Sequence, residues 1–344
     1  MKRFVLGLVL LLSLSACAEA ETSKTLKVFN WGVYIDETLI DEFEAEYGVE
    51  VIYDTFDSNE TMYTKLASGE VYDVLYPSDY MVDRLIEEGL VQKLESETKA
   101  VLESYLPFIL GQDYDPENDY SIPYFWGNVG ILYDTNIVDI ADVSEGWNVF
   151  KNPKYAGQVY FYDSERDAFM VALKALGYST NTENESELSL AYEWLVELNQ
   201  SMKAVYVTDD VIDNMIAGNK ALAIVYSGDA AYILDENEDM AYFVPMEGSN
   251  VWIDSMVIPS NAQNPELANA WIRFMSTVDA MERNTLEVGY TTVRQDVYTE
   301  MIAGDYEGNF AYDVRMDNPK DEVYEYNKTL KQKLSDLWIK VKAQ

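Results

Sequence analysis

The residues of this chain that could do chemistry are aromatic rings and carboxylates placed close to the ends of predicted strands. In open parallel sheets, ligands bind beyond the carboxyl ends of the strands, so the residues found there are the first candidates for a site. The candidates are Trp31, Tyr34, Ser78, Tyr80, Asp167, Tyr226, Asp229, Trp252, Asp254 and Tyr290.

This set of side chains favours a cationic ligand. An aromatic face attracts a cation by about 0.5–2 kcal/mol, and a hydrogen bond between a carboxylate and an ammonium group adds about 1.5–3 kcal/mol. An ammonium group buried without a partner is strongly unfavourable, so each one needs its own carboxylate. The predicted ligand is a small flexible molecule with separated ammonium groups and an apolar stem that packs on the rings.

Several candidates also have a purely structural interpretation. Trp31, Tyr226 and Tyr290 could be ordinary core or interface aromatics, because 13% of the residues are aromatic. Asp254 is different, since it lies within a predicted apolar strand at 251–258 and is expected to be buried with a cationic or donor partner.

Other polar candidates could be helix caps instead of ligand groups. Asp229 and Ser78 both precede predicted helices, where their side chains could accept a hydrogen bond from a free backbone amide. Asp79 is expected to be a cap or a solvated residue.

Composition excludes several classes of function. The chain has 61 Asp and Glu against 24 Lys and Arg, a formal net charge of −37, and it has no histidine. Such a surface repels nucleic-acid phosphates and anionic lipid, so no nucleic-acid partner is expected. Without histidine, Ser-His-Asp catalysis and His-based metal sites are excluded, and no cofactor or metal is predicted.

The N-terminus predicts export. Lys2 and Arg3 precede an apolar run at 4–14 that is too short for a bilayer span. It ends at Leu-Ser-Ala-Cys, and Cys17 is the only cysteine. The segment resembles a bacterial lipoprotein signal, which implies a signal peptide at 1–16, lipidation of Cys17 and a tether at 17–24. We expect an exported chain, either periplasmic or anchored to the outer face of the cytoplasmic membrane.

The remaining chain of this 344-residue protein, long enough for two domains, alternates predicted strands and helices with short connections. This pattern predicts an α/β fold with open, mostly parallel sheets flanked by helices. In the first half we predict strands at 25–29, 49–53 and 73–76, helices at 37–47, 58–69 and 80–88, and a pair of strands at 120–133 interrupted at Gly127-Asn128. In the second half we predict strands at 158–162, 205–207, 221–226, 242–244 and 251–258, a polar loop at 179–189, and helices at 167–176, 190–199, 211–217, 230–237, 266–276, 280–287, 296–303 and 322–342.

Five segments of the chain resemble the spermidine/putrescine-binding proteins of bacterial ABC importers. They are Phe29–Tyr34, Asp57–Tyr63, Tyr76–Tyr80, Ile122–Gly127 and Trp252–Pro259. The resemblance implies a type II periplasmic-binding-protein fold with two lobes that close over a polyamine, an ABC permease as partner, no catalysis and, as we expect, a monomer. The expected lobes are 25–135 with 254–300 and 136–253 with 301–344.

The resemblance also implies roles for the candidate residues. Asp254 would be the principal carboxylate, and the other nine candidates would complete an aromatic and acidic box. The chain departs from the family at Tyr226, where Trp is frequent, and at Asp167, where Glu is found. Val33 and Ser164 replace carboxylates, which favours a diamine, although Asp167, Asp229 and Asp254 could still serve three amines.

Two other functions stay open from the residues alone. An exported glycosidase would need two carboxylates at a fixed separation, and no such spacing is recognisable. A binding protein for another organic cation, such as a basic amino acid, would need an arginine clamp for the α-carboxylate. Arg166 lies near the candidates, but we expect it to pair locally with Glu165 or Asp163.

Overall fold

A computed structural model describes residues 24–208 and 210–344. The predicted signal peptide, Cys17 and most of the tether lie outside the described residues. The strands are β1 (Lys24–Trp31), β2 (Val49–Phe56), β3 (Val74–Leu75), β4 (Ser121–Asp134), β5 (Val159–Tyr162), β6 (Val205–Val207), β7 (Leu222–Tyr226), β8 (Met240–Phe243), β9 (Val251–Val257) and β10 (Thr291–Thr292).

Helices follow most of these strands. The α-helices are α1 (Thr38–Tyr47), α2 (Asn59–Ala67), α3 (Asp79–Glu87), α4 (Ser96–Lys99), α5 (Ile140–Val143), α6 (Glu165–Ala175), α7 (Glu185–Met202), α8 (Val211–Ile216), α9 (Ser227–Glu236), α10 (Pro265–Met275), α11 (Val278–Val288), α12 (Gln295–Ala303) and α13 (Lys328–Lys342). Short 3₁₀ turns lie at Ala100–Ser104, Pro107–Ile109, Gly146–Lys151 and Pro153–Tyr155.

The helix ends show where capping decides the boundaries. Ser58 is the N-cap of α2, and its side chain accepts from the amide of Thr61. The predicted loop at 179–189 is wrong in its second half, because Asn184 caps α7 and the helix begins at Glu185. The C-terminal helix begins later than predicted, at Lys328, after Asn327 as its cap.

Parallel strands form the two outer parts of the sheet. The strand order is β2-β1-β3-β9-β4-β7-β5-β6, and β8 and β10 also pair with β4. β1 is parallel to β2 and β3, and β5 is parallel to β6 and β7. The long strand β4 and its neighbour β9 lie between these parts and run antiparallel to each other.

β4 is one continuous strand, so the prediction of two strands interrupted at Gly127-Asn128 is wrong. The strand changes neighbours there instead: Ser121–Asn128 pairs with β9, and Val129–Tyr133 pairs with β7. β4 therefore connects the two parallel regions. The predicted α/β class with mostly parallel, helix-flanked sheets is confirmed. The predicted lobe boundaries stay a prediction.

Two buried clusters hold the sheet and helices together. The larger contains apolar residues of both parallel regions, with Trp126 of β4 and Trp271 of α10 fully buried. The smaller lies around Phe29, Phe56 and Leu85 on the remaining face of β1 and β3. Neither 24–208 nor 210–344 includes a helix that is long and apolar enough to cross a membrane.

Candidate ligand-binding site

A continuous line of aromatic rings crosses the place where β4 changes neighbours. The Trp31 ring lies 6.4 Å from that of Tyr34, and the Tyr34 ring lies 5.6 Å from that of Tyr290. The Trp252 ring is 5.2 Å from Tyr290 and 6.4 Å from Tyr226. Strand ends position two of these rings, because Trp31 ends β1 and Tyr226 ends β7.

The first carboxylate of the site is Asp254 in the middle of β9. It is 6% exposed, and its Oδ2 accepts a 2.5 Å hydrogen bond from the Tyr34 hydroxyl. Ser78 forms a β-bridge with Asp254. Burial raises the pKa of Asp254 to about 6, although hydrogen bonds from Ser78 and Tyr34 oppose the rise. The expectation that Asp254 is buried with a donor partner is confirmed.

The second carboxylate is Asp167 in the first turn of α6. It is 3% exposed, and its Oδ2 accepts a 2.8 Å hydrogen bond from the Tyr226 hydroxyl. Burial raises its pKa, whereas hydrogen bonds from Ser164 and Tyr226 favour the charged form. The Ser164 side chain, which is the N-cap of α6, accepts from the amide of Asp167.

The third carboxylate is Asp229 in the first turn of α9. The Tyr290 hydroxyl donates to its Oδ1 at 2.9 Å, and the Tyr162 hydroxyl donates to its Oδ2 at 3.1 Å. The capping interpretation of Asp229 is wrong, because the N-cap of α9 is Tyr226. The interpretation of Ser78 as a side-chain cap is also wrong. Ser78 stands at the N-cap of α3, but its hydroxyl accepts from Asn59 instead.

Two glycines let the aromatic rings pack closely on the backbone. A Cβ at Gly127 would lie 2.5 Å from the Trp252 ring, and one at Gly228 would lie 1.6 Å from the Tyr290 ring. Only a residue without a side chain fits at either position. Gly228 is in α9 and Tyr290 precedes β10, so this contact joins the two parallel regions of the sheet.

Tyr80 joins the site through Arg166, and the prediction that Arg166 pairs locally with Glu165 or Asp163 is wrong. The guanidinium carbon of Arg166 lies 3.0 Å from the centre of the Tyr80 ring. Arg166 makes none of the described ion pairs with its sequence neighbours: Asp163 pairs with Lys342, and Glu165 accepts from a serine of α13. The acidic neighbours are occupied by the C-terminal helix, which leaves Arg166 to pack on the aromatic ring.

Asp79 is a member of the site region that the sequence did not identify. It is 1% exposed, so it is not solvated, and its carboxylate accepts from the amides of Tyr80 and Ile253. Burial raises the pKa of Asp79 to about 7, and the nearby charge of Asp254 raises it further. Its sequence context, a Ser-Asp pair at a helix start, gave no signal for this burial.

Tyr162 and Tyr324 were also missed. Tyr162 is the last residue of β5 and donates to Asp229, so the strand-end rule could have found it. The Tyr324 hydroxyl is buried close to Asp167 and lies in the irregular segment before α13, where no periodic signal exists. Val33 is 79% exposed, so its side chain does not line the buried site, contrary to the expectation that a cation site is lost there.

All ten candidate residues are thus brought together. Nine are connected by direct hydrogen bonds, a β-bridge or ring contacts, and Tyr80 joins through Arg166 beside Asp167. Each of the three carboxylates accepts a tyrosine hydroxyl, and the rings between them are apolar surface. The arrangement can hold cationic groups on carboxylates and an apolar stem on the rings. The described ranges contain no group of three or more Asp, Glu, Cys or His placed to hold a metal ion.

A family profile and the relatives found by comparison with known proteins indicate the same family. A family profile described as bacterial extracellular solute-binding protein matches residues 38–311. The chain is 35% identical over 285 residues to the spermidine/putrescine-binding periplasmic protein of Escherichia coli K12, which covers 82% of this chain and 81% of that protein.

Solved structures show the same relationship. A spermidine/putrescine ABC transporter substrate-binding protein from Streptococcus pneumoniae is 36% identical with a TM-score of 0.82, covering 93% of this chain and 99% of that chain. A lipoprotein of Treponema pallidum is 25% identical with a TM-score of 0.82, covering 92% of this chain and 99% of that chain.

Proposed function

The chain belongs to the bacterial extracellular solute-binding proteins, and we propose that it binds polyamines such as putrescine and spermidine for an ABC importer. It captures the cationic ligand outside the cell membrane and delivers it to the membrane-embedded permease. The family binds solutes and does not act as an enzyme, and we propose no catalytic role for the carboxylates of this chain.

The proposed ligand follows from one observation. Three carboxylates, each of which accepts a hydrogen bond from a tyrosine hydroxyl, lie along one line of aromatic rings. A polyamine has ammonium groups separated by methylenes, so its charges match the carboxylates and its stem matches the rings. Tyrosine hydroxyls suit this purpose, because they hold the carboxylates in place, and each carboxylate oxygen has a further lone pair that can accept from an ammonium donor.

The ring and carboxylate residues come from both parallel regions of the sheet. Asp254 and Tyr34 belong to the region of β1 and β9, whereas Asp167 and Tyr226 belong to the region of β5 and β7. We propose that these regions are two lobes, 25–135 with 254–300 and 136–253 with 301–344, and that they close over the ligand. A ligand that contacts both lobes stabilises the closed form by its differential affinity.

The location of the protein is part of the proposal. We propose that the chain is exported as a monomer and cleaved after residue 16. Lipidation of Cys17 would anchor it through residues 17–24 to the outer face of the cytoplasmic membrane, and a chain without the anchor would be periplasmic. The name of the Treponema pallidum relative, which is a lipoprotein, supports this.

A ligand panel tests the proposed function. Melting temperatures of the purified chain are measured with putrescine, cadaverine, spermidine, spermine, arginine, lysine and a maltooligosaccharide. A ligand at 100 times its dissociation constant adds about 2.7 kcal/mol of stability. We expect polyamines alone to raise the melting temperature. A shift with the amino acids alone supports another organic-cation binder, and turnover of a glycoside supports the enzyme alternative.

A further inference from the structure

The segment that leads into the C-terminal helix crosses from one proposed lobe to the other. At its start, Glu322 forms a β-bridge with Asn250, and its carbonyl accepts a hydrogen bond from the amide of Val251, the first residue of β9. At its end, α13 packs against α6 and α7, which belong to the same lobe as this start. Between these two anchors, residues 326–331, here called the strap, contact α2 and α3 of the other lobe.

Two polar contacts hold the strap against the other lobe. The Tyr326 amide donates a 2.9 Å hydrogen bond to the Asp83 carboxylate in α3. Lys331, in the first turn of α13, forms an ion pair with Glu60, in the first turn of α2. The ring centre of Tyr326 also lies 5.4 Å from the guanidinium carbon of Arg84 in α3. These contacts join the two lobes through residues that are not among the ten candidate ligand residues.

The ion pair is of the kind that can form and break. Burial raises the pKa of the Glu60 carboxyl, but the hydrogen bond and charge of Lys331, with the charge of Arg166, outweigh burial and lower this pKa overall. The side chains of Lys331 and Glu60 are 29% and 46% exposed, so water reaches both partners. An ion pair with this exposure makes a modest contribution to stability, which suits a contact that has to break whenever the lobes open.

We propose that the strap is a latch, in which the Lys331–Glu60 ion pair and the hydrogen bond from Tyr326 to Asp83 hold the two lobes closed. This inference rests on the proposed function and adds a closing device to it. A contact that favours the closed form without touching the ligand changes the apparent affinity for every ligand by the same factor. A residue that touches the ligand changes the affinities for different ligands unequally.

Calorimetry with putrescine and spermidine on the wild type, Lys331→Gln, Glu60→Gln and the double variant tests the latch. Glutamine removes one charge and keeps a polar side chain at each position. Lys333→Gln is the matched control, because Lys333 is also in α13 but forms its ion pair with Glu185 of α7, in the same lobe. Hydrogen exchange of the Tyr326 amide, measured without ligand, gives a second readout, because this amide loses its partner when the latch opens.

We expect Lys331→Gln and Glu60→Gln each to weaken the binding of both polyamines by the same factor, about threefold. The double variant should be no weaker than either single variant, since both remove one interaction. The Tyr326 amide should exchange faster in Lys331→Gln than in the wild type, and Lys333→Gln should match the wild type in both measurements.

Three results would overturn the latch: unchanged affinities in Lys331→Gln, unequal factors for the two polyamines, or additive losses in the double variant. A wild type that binds neither polyamine would instead contradict the proposed function. Exchange of the Tyr326 amide then decides the latch by itself, because equal rates in Lys331→Gln and the wild type would overturn it, whereas a faster rate in Lys331→Gln alone would support it.

Discussion

The Tyr34 hydroxyl donates a 2.5 Å hydrogen bond to the Oδ2 atom of Asp254, across 220 residues of sequence. Burial and the Asp254 charge raise the pKa of Tyr34 well above its ordinary value, so this hydroxyl stays a donor at neutral pH. The bond fixes one carboxylate oxygen and connects the segment after β1 to the middle of β9. An ionised carboxylate whose oxygen atoms are held in fixed directions can accept charge-assisted hydrogen bonds from an ammonium ligand.

Replacing Asp254 by asparagine should weaken polyamine binding and leave the free protein at least as stable. Removing the carboxylate leaves a desolvated ammonium group without its partner, which is typically unfavourable by about 2–5 kcal/mol. The folded-state pKa is about 6, above the ordinary value, so stability falls as the pH rises between about 4 and about 6, by an amount on the order of 3 kcal/mol. Asparagine carries no such penalty at neutral pH.

Calorimetry and thermal unfolding of the same Asp254→Asn protein separate the two effects. Asp73→Asn is the matched control, because Asp73 is also buried but accepts from the backbone amides of Lys27, Gln263 and Asn264. It should lower the melting temperature and leave the affinity of the folded protein unchanged. If Asp254→Asn instead behaves like this control, Asp254 has a structural role and does not belong to the site.

Affinity for polyamines should decrease at acidic pH. The site must be ionised to accept an ammonium group, and burial raises the pKa of Asp254 to about 6 and that of Asp79 beside it to about 7. As the pH falls below these values, binding has to release a proton, so affinity falls by up to about tenfold per pH unit for each group. Titrations at several pH values between about 5 and about 8 check this, and a flat profile would show that neither group titrates on binding.

Gly228→Ala should impair binding by preventing closure. A Cβ at this position would lie 1.6 Å from the Tyr290 ring, across the contact between the two parallel regions. Alanine favours the helix α9 over glycine by about 1 kcal/mol, so the free protein should not lose stability if its lobes are open. We expect affinity for putrescine to fall by about tenfold or more, since the closed form is blocked.

Small-angle scattering of this variant provides the direct readout. The radius of gyration of the wild type should decrease with putrescine, whereas that of Gly228→Ala should not. Gly32→Ala is the control, because a Cβ there meets no atom within 4 Å and the protein should bind and close normally. Normal closure of Gly228→Ala would contradict the two-lobe account of the site.

Cys17 should carry the lipid anchor. The Leu-Ser-Ala-Cys sequence ends an apolar run, and the chain has one cysteine. Labelled fatty acid should enter the wild-type protein in a bacterial host and be absent from Cys17→Ser, which should be recovered in the soluble fraction. Equal labelling of the two proteins would remove the anchor from the account.

The sequence predicted most of the strands and helices and all ten clustered residues, for identifiable reasons. Apolar runs followed by glycine or a capping residue mark the elements, as Ser58 does for α2. The strand-end rule selected Tyr226 and Asp167 because parallel strands deliver their carboxyl ends to one edge. Asp254 follows from its place within an apolar strand, and the resemblance to polyamine-binding proteins implies that it is the principal carboxylate.

Other features depend on contacts between distant segments, which local patterns do not encode. Arg166 has acidic neighbours in sequence, but side chains of α13 form the ion pair and hydrogen bond with them. The arginine packs on the Tyr80 ring instead. The sequence predicts that Asp79 caps a helix or is solvated. It is buried instead, and its carboxylate accepts a hydrogen bond from the amide of Ile253. The resemblance implies that Val33 stands where the family has a site carboxylate, but its side chain is 79% exposed.

A calorimetric titration of the wild-type chain with putrescine at neutral pH tests the central claim most directly. The account predicts saturable binding of one ligand per chain with a dissociation constant of about 1 μM or tighter, which corresponds to about 8 kcal/mol. Absence of binding at ligand concentrations up to about 1 mM, equivalent to less than about 4 kcal/mol, would contradict it.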